Sequence, residues 1–186
     1  MVSGNQSLNR SRVVHVKNLY YLHGLKSSPD GFRACYIRER YPELVAPALS
    51  EDVYERMELL EREIQAPVYL VGSSLGGLSA LMFVEQFPQL VKGMMLLAPA
   101  VGFCDQQYRT PEILALVERL IIPAGIPTAV IAATRDEVIP CRAIQTMVAR
   151  SPKPEDIMLN LVDDIHRCRE QATLDCMMQG IQHILA

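Results

Sequence analysis

The chain has no pair of cysteines at C-x-x-C spacing. Its five cysteines, Cys35, Cys104, Cys141, Cys168 and Cys176, are scattered and odd in number. This argues against a disulfide framework and for reduced thiols, and so for a cytoplasmic location. No apolar run is long enough to span a bilayer, so no membrane span is expected. No basic patch stands out: 18 Lys and Arg face 21 Asp and Glu, a formal net charge of −3. That balance gives no reason to expect a nucleic-acid partner. Residues 1–12 are polar and lack the apolar core of a secretory signal. They read as a flexible N-terminal tail, with a leader or a tag as alternatives. Internal repeats, low-complexity tracts and interdomain linkers are also missing.

What remains is a chain of 186 residues, 49% of them hydrophobic. Residues 13–186 suit one domain with a sizeable core. Strand and helix patterns alternate almost throughout, the sign of a mostly parallel sheet with helices on both faces. Strands are expected at 13–22, 44–49, 68–71, 93–98, 128–133 and 157–162, about six in all. Pro47 weakens the second. Helices are expected from Ser28 to about Arg40, from Ser50 along the stripe Val53, Met57, Leu60 and Ile64, then over 75–87, 111–122, 142–150 and 167–185. Met94-Met95-Leu96-Leu97-Ala98 is apolar without alternation, as two-sided burial requires. The fold class is therefore α/β, a three-layer sandwich. Ligands of such sheets bind at the carboxyl ends of the strands.

The stretch after the third strand is the most informative. Val68 to Val71 is β-prone, and Gly72-Ser73-Ser74-Leu75-Gly76 follows, leading into an apolar helix. This is G-x-S-x-G in strand–turn–helix context, the nucleophile elbow. A sharp turn lifts the serine above the sheet, and the flanking glycines remove Cβ atoms where strand and helix crowd each other. The first free helix amides point at whatever sits over Ser74. The bland alternative is a glycine-rich packing turn. A phosphate loop is excluded, because no lysine follows the final glycine.

The remaining strand ends supply two partners. Thr134-Arg135-Asp136-Glu137 follows the fifth strand. A carboxylate there can orient a catalytic imidazole, although a turn aspartate bonding local amides would look the same. Asp163-Asp164-Ile165-His166 follows the sixth strand. Among the four histidines, only His166 sits after a late strand; His15 and His183 read as structural or solvated. Asp163 and Asp164 are alternative acids for His166, and Glu137 competes with Asp136.

Ser, Asp and His at successive strand ends, in that order, match the order of catalytic residues in α/β-hydrolases. The stretch after the first strand, His23-Gly24-Leu25-Lys26-Ser27-Ser28-Pro29, carries the resemblance further. His23-Gly24 resembles the HG motif of that superfamily, and the compact length is similar to its small, lidless bacterial esterases. The resemblance covers 13–185 and implies that the first two strands of the usual sheet are absent. It also implies that the backbone amides of Leu25 and Leu75 form the oxyanion hole, with His23 shaping the loop. Only a short connection, containing Phe103, Cys104 and Tyr108, separates Ala98 from the helix at Pro111. An open site without a large lid is implied, with Phe103 and Tyr108 as candidate substrate contacts.

The expected activity is serine hydrolysis of a small-molecule carboxylic ester or thioester through an acyl-enzyme. Ser74 attacks, His166 shuttles the proton and Asp136 orients it. No metal or organic cofactor is called for. The alternatives are the same residues acting on a peptide, lactone or C–C bond, or a non-catalytic binding protein on the same scaffold. The acyl group and the oligomeric state are not legible in the sequence.

Overall fold

The computed structural model describes residues 13–104, 106 and 109–186. The proposed tail at 1–12 and Tyr108 therefore lie outside the described residues. The apolar runs pair as five parallel strands: β1 (Leu19–Leu22), β2 (Val68–Ser73), β3 (Val91–Leu97), β4 (Thr128–Ala133) and β5 (Ile157–Val162). Their spatial order follows the chain from β1 to β5.

Two expectations are corrected here. The first strand begins at Leu19 rather than Val13. Asn18 takes a φ of 64°, which breaks the extended run. Val14 instead donates to the Arg40 carbonyl, and His15 sits on the surface against Glu43. The expected strand at 44–49 shrinks to one bridge beside β1. Val45 donates to Leu19 and accepts from Tyr21, at 2.9 and 2.8 Å. The next rung would need an amide hydrogen from Pro47, which has none.

Among the described residues, six α-helices cover the sheet: α1 (Phe32–Arg38), α2 (Val53–Glu63), α3 (Leu75–Gln86), α4 (Pro111–Arg119), α5 (Cys141–Ala149) and α6 (Gln171–Leu185). Their starts follow local chemistry. Asp52 caps α2 by accepting from the amides of Tyr54 and Glu55, and Thr110 caps α4 ahead of Pro111. Ser28-Pro29 forms a turn instead of a cap, and α1 begins at Phe32 after Gly31. The last helix begins at Gln171, which leaves 163–170 as a loop.

The strands divide their side chains between two layers. Leu22, Leu70, Met94, Leu96 and Val130 pack with α2, α3, α4 and α5. Leu19, Tyr21, Val71, Met95, Leu97 and Ile131 pack with α1 and α6. Met95 and Leu96 thus face opposite layers, which explains the unbroken apolar run. From β1 the chain moves outward to Val45, then returns to the other side of β1 to form β2. The direction of winding reverses between β1 and β2, so their carboxyl ends open a crevice. Ser74 and the loop at Gly24 stand at that crevice.

Candidate active site

Ser74 occupies a φ of 52° and ψ of −117°. A non-glycine residue held there stores on the order of 1–3 kcal/mol of strain. The neighbours enforce it. A Cβ on Gly76 would stand 1.9 Å from the Leu22 carbonyl oxygen, and one on Gly72 would stand 2.6 Å from the Gly76 oxygen. The elbow glycines are therefore required by close approach of α3 to β1 and β2. Ser74 N–H donates to the Leu97 carbonyl at 2.9 Å, which ties the turn to β3.

The structure brings Ser74, His166 and Asp136 together from three strand ends. Ser74 Oγ lies 3.0 Å from His166 Nε2, and His166 Nδ1 lies 2.8 Å from Asp136 Oδ2. The Asp136 side chain is fully buried, and that of His166 is 18% exposed. The other Asp136 oxygen accepts from the amides of Val138 and Ile139, at 2.8 and 2.7 Å. Asp136 makes both kinds of contact at once: one oxygen closes a local turn, and the other faces the imidazole. An imidazole with Nδ1–H directed at a carboxylate presents a bare Nε2 to the serine hydroxyl.

The competing acids are committed elsewhere. Asp163 pairs with Arg135 at 2.6 Å on the surface. Asp164 is buried and turns inward, accepting from the Ile165 and Glu170 amides and from the Thr173 hydroxyl, at 2.8, 3.0 and 2.8 Å. Burial alone would raise its pKa; those three hydrogen bonds and the charge of Arg135 outweigh it and hold the carboxyl below its ordinary value. Glu137 accepts from the His166 amide at 3.1 Å, so it holds the backbone and not the ring.

The loop after β1 leans on the elbow. A Cβ on Gly24 would meet the Ser73 oxygen and the Ser74 Cβ, each at 3.2 Å. His23 is 3% exposed and shapes this loop. Its Nδ1–H donates to the Gly24 carbonyl at 2.9 Å, and its Nε2 accepts from the Leu49 amide at 3.1 Å. Burial pushes its pKa down; the Gly24 bond opposes this, and the nearby Arg56 charge adds to it. Leu75 opens α3, so its amide has no intrahelical acceptor. Leu25 is exposed at the same mouth. Phe103 is half-buried against the core on the α3 and α5 side, and Leu78 is fully buried.

Sequence reasoning missed Arg56. It lies on the apolar face of α2, 1% exposed, and donates to the carbonyls of Ser50 and His23 at 2.5 and 2.8 Å. Burial lowers its pKa to about 10. A charged residue between Val53 and Leu60 on that stripe was the available signal. Burial pushes the Cys168 thiol up to about 12 and raises that of Cys141, with the Asp136 charge adding to both. Among the described residues, no group of three or more His, Cys, Asp or Glu side chains is placed to hold a metal ion.

Solved structures with this architecture include mouse alpha/beta hydrolase domain-containing protein 10. It superposes with a TM-score of 0.72 at 19% identity, over 90% of this chain and 88% of that one. A Paleococcus ferrophilus monoacylglycerol lipase gives a TM-score of 0.67 at 14% identity, over 89% and 94%. The chain has the fold of these α/β-hydrolases. A family model described as serine aminopeptidase, S33, matches residues 47–125 of this chain. That stretch contains the elbow but neither Asp136 nor His166. The chain is also 46% identical over 55 residues to Arabidopsis thaliana chloroplastic pheophytinase. That match spans 28% of this chain and 11% of the plant protein. Among the described residues, no helix is long and apolar enough to cross a membrane.

Proposed function

We propose that this chain is a serine hydrolase that cleaves a carboxylic ester or thioester through an acyl-enzyme. One observation carries the reading. Ser74 Oγ, the His166 ring and Asp136 form a continuous chain of contacts at 3.0 and 2.8 Å. In this reading His166 Nε2 takes the Ser74 proton as Oγ attacks the acyl carbon. The same nitrogen then protonates the leaving alcohol or thiol. Asp136, pinned by two amides, holds the tautomer and stabilises the imidazolium. The amides of Leu25 and Leu75 receive the oxyanion, and one such donor contributes about 3 kcal/mol to the transition state. Water, activated by the same imidazole, releases the acid. A monoacylglycerol lipase on the same fold is in keeping with ester substrates.

The first test is covalent labelling by a fluorophosphonate. Wild-type protein is expected to label at Ser74 and to hydrolyse short-chain p-nitrophenyl esters; Ser74→Ala is expected to do neither while remaining folded. A folded wild-type protein that neither labels nor turns over would refute the proposal. The aminopeptidase description of the family model favours one second reading, cleavage of an N-terminal amide bond. Aminoacyl p-nitroanilides cleaved faster than the matching esters would select it.

A further inference from the structure

Two consecutive peptide groups in the loop after β1 are each held by a buried side chain. Arg56 Nη1–H donates to the His23 carbonyl at 2.8 Å, and His23 Nδ1–H donates to the Gly24 carbonyl at 2.9 Å. Both peptides are trans, and a planar trans peptide points its N–H opposite to its C=O. The Leu25 amide is therefore turned away from the His23 ring, and the Gly24 amide away from Arg56. The His23 carbonyl also bears on the elbow: a Cβ on Gly76 would stand 2.9 Å from its oxygen. Gly24 lies against the nucleophile, since a Cβ there would meet the Ser74 Cβ at 3.2 Å. One carbonyl oxygen thus sits between the Arg56 guanidinium and the residue after Leu75.

We propose that Arg56 is a positioning residue, which fixes the peptide planes of the oxyanion loop beside Ser74 without touching substrate. The inference rests on the reading of Ser74 as nucleophile and of the Leu25 and Leu75 amides as oxyanion donors. The setting of Arg56 supports it. The side chain is 1% exposed, and no ion pair among the described residues includes it. Burial lowers its pKa to about 10, even though the charge of Glu51 opposes this. A guanidinium buried in this way costs free energy that an apolar side chain on the α2 stripe would avoid. What the guanidinium adds is a planar fork that serves two loops together. Its Nε–H donates to the Ser50 carbonyl at 2.5 Å, just ahead of α2, while Nη1–H holds His23. The loop needs such a hold, because Gly24 has the backbone freedom to let either neighbouring peptide turn over. A turned 24–25 peptide would aim the Gly24 carbonyl, an acceptor, where the Leu25 donor must stand. The His23 ring resists that turn only while it stays in place. The Leu49 amide fixes its Nε2 at 3.1 Å, and Arg56 fixes the peptide that leads on to Gly24.

Arg56→Met keeps a stem that fills the stripe and removes the fork. It is expected to lower kcat for a p-nitrophenyl ester by about 10- to 100-fold. KM should stay within about twofold, because Arg56 is buried away from substrate. A trifluoromethyl ketone separates an oxyanion effect from general damage. Ser74 Oγ adds to its carbonyl carbon, His166 Nε2 takes the hydroxyl proton, and the carbonyl π pair moves onto oxygen as the oxyanion. Its inhibition constant should weaken in step with kcat. Val53→Ala loosens the same stripe and should leave both constants within about twofold of wild type. Arg56→Lys keeps the charge and one donor, so it should fall between Arg56→Met and wild type. Should Arg56→Met fail to fold, Arg56→Lys decides: kcat several-fold down at unchanged KM supports the positioning role, and wild-type kinetics overturns it. A second readout does not need turnover. The Gly24 and Leu25 amide resonances should be single and sharp in wild type and broadened or doubled in Arg56→Met, with those of β3 unchanged. Unchanged kcat and unchanged Gly24 and Leu25 resonances in Arg56→Met would overturn the role, as would a rise in KM alone. A wild-type protein that never labels with fluorophosphonate at Ser74 would instead count against the hydrolase reading, and the amide resonances would still decide the role of Arg56.

Discussion

At the residue scale, four carboxylates lie within a few positions of the imidazole or of one another, and their partners separate them. Asp136 meets the ring, Glu137 the His166 backbone, Asp163 an exposed arginine, and Asp164 the start of α6. Asp136→Asn should therefore lower ester hydrolysis by about 10⁴-fold, the scale seen when a serine protease loses its orienting acid. Asp163→Asn should leave the rate within about twofold, since a surface ion pair contributes little. Steady-state kinetics on the two variants checks both. A silent Asp136→Asn would remove this carboxylate from the mechanism. Much of this was readable beforehand. Ser74, Asp136 and His166 each follow a strand, and residue order plus strand ends singled out as candidates three side chains that meet in the structure. The choice among acids was not readable, because it depends on how the β4 and β5 loops pack. Arg56 was missed for another reason: its charge on the α2 stripe was visible, but its partners are backbone carbonyls, which leave no mark in sequence spacing.

At the scale of elements, the elbow depends on the contact between α3 and β1. Any side chain on Gly76 must displace the Leu22 carbonyl, which belongs to the sheet and cannot yield cheaply. Gly76→Ala should cost about 3 kcal/mol or more, at the top of the range for forced overpacking. A denaturant midpoint measured beside that of Ser74→Ala checks this, because the serine variant keeps the backbone. Asp164→Ala acts on a different element. It strips one buried hydroxyl and two amides of their acceptor, so about 1–3 kcal/mol of stability should be lost as the start of α6 loosens. Element boundaries were legible where the pattern was strong. The limits of β4 and β5 were read to the residue, since each is an apolar run bounded by turn chemistry. The reading failed where one backbone feature overrides pattern: the left-handed turn at Asn18 and the missing amide hydrogen of Pro47.

At the scale of the whole molecule, two buried titratable groups point the same way in acid. The folded protein holds His23 neutral, with its pKa below the ordinary 6.5, because burial disfavours the imidazolium and the Leu49 amide uses the Nε2 lone pair. The unfolded chain takes up this proton first as pH falls. Stability from His23 is thus complete above about pH 6.5 and is lost progressively as pH drops toward the folded pKa. Asp164 adds a second, more acidic step. Its folded pKa lies below the ordinary 3.8, so its contribution is present above that value and is lost as pH falls through the lower one. The urea midpoint of wild-type protein should therefore fall between pH 7 and pH 5. His23→Gln keeps an acceptor near the Leu49 amide but cannot titrate, so its midpoint should be nearly flat over the same range. Because His23 shapes the loop bearing Gly24 and Leu25, its protonation would also disturb the proposed oxyanion donors before the sheet unfolds. Ester hydrolysis by wild-type protein should then decline in acid ahead of global unfolding. If His23→Gln loses its midpoint between pH 7 and pH 5 as steeply as wild type, the acid sensitivity does not originate at this histidine.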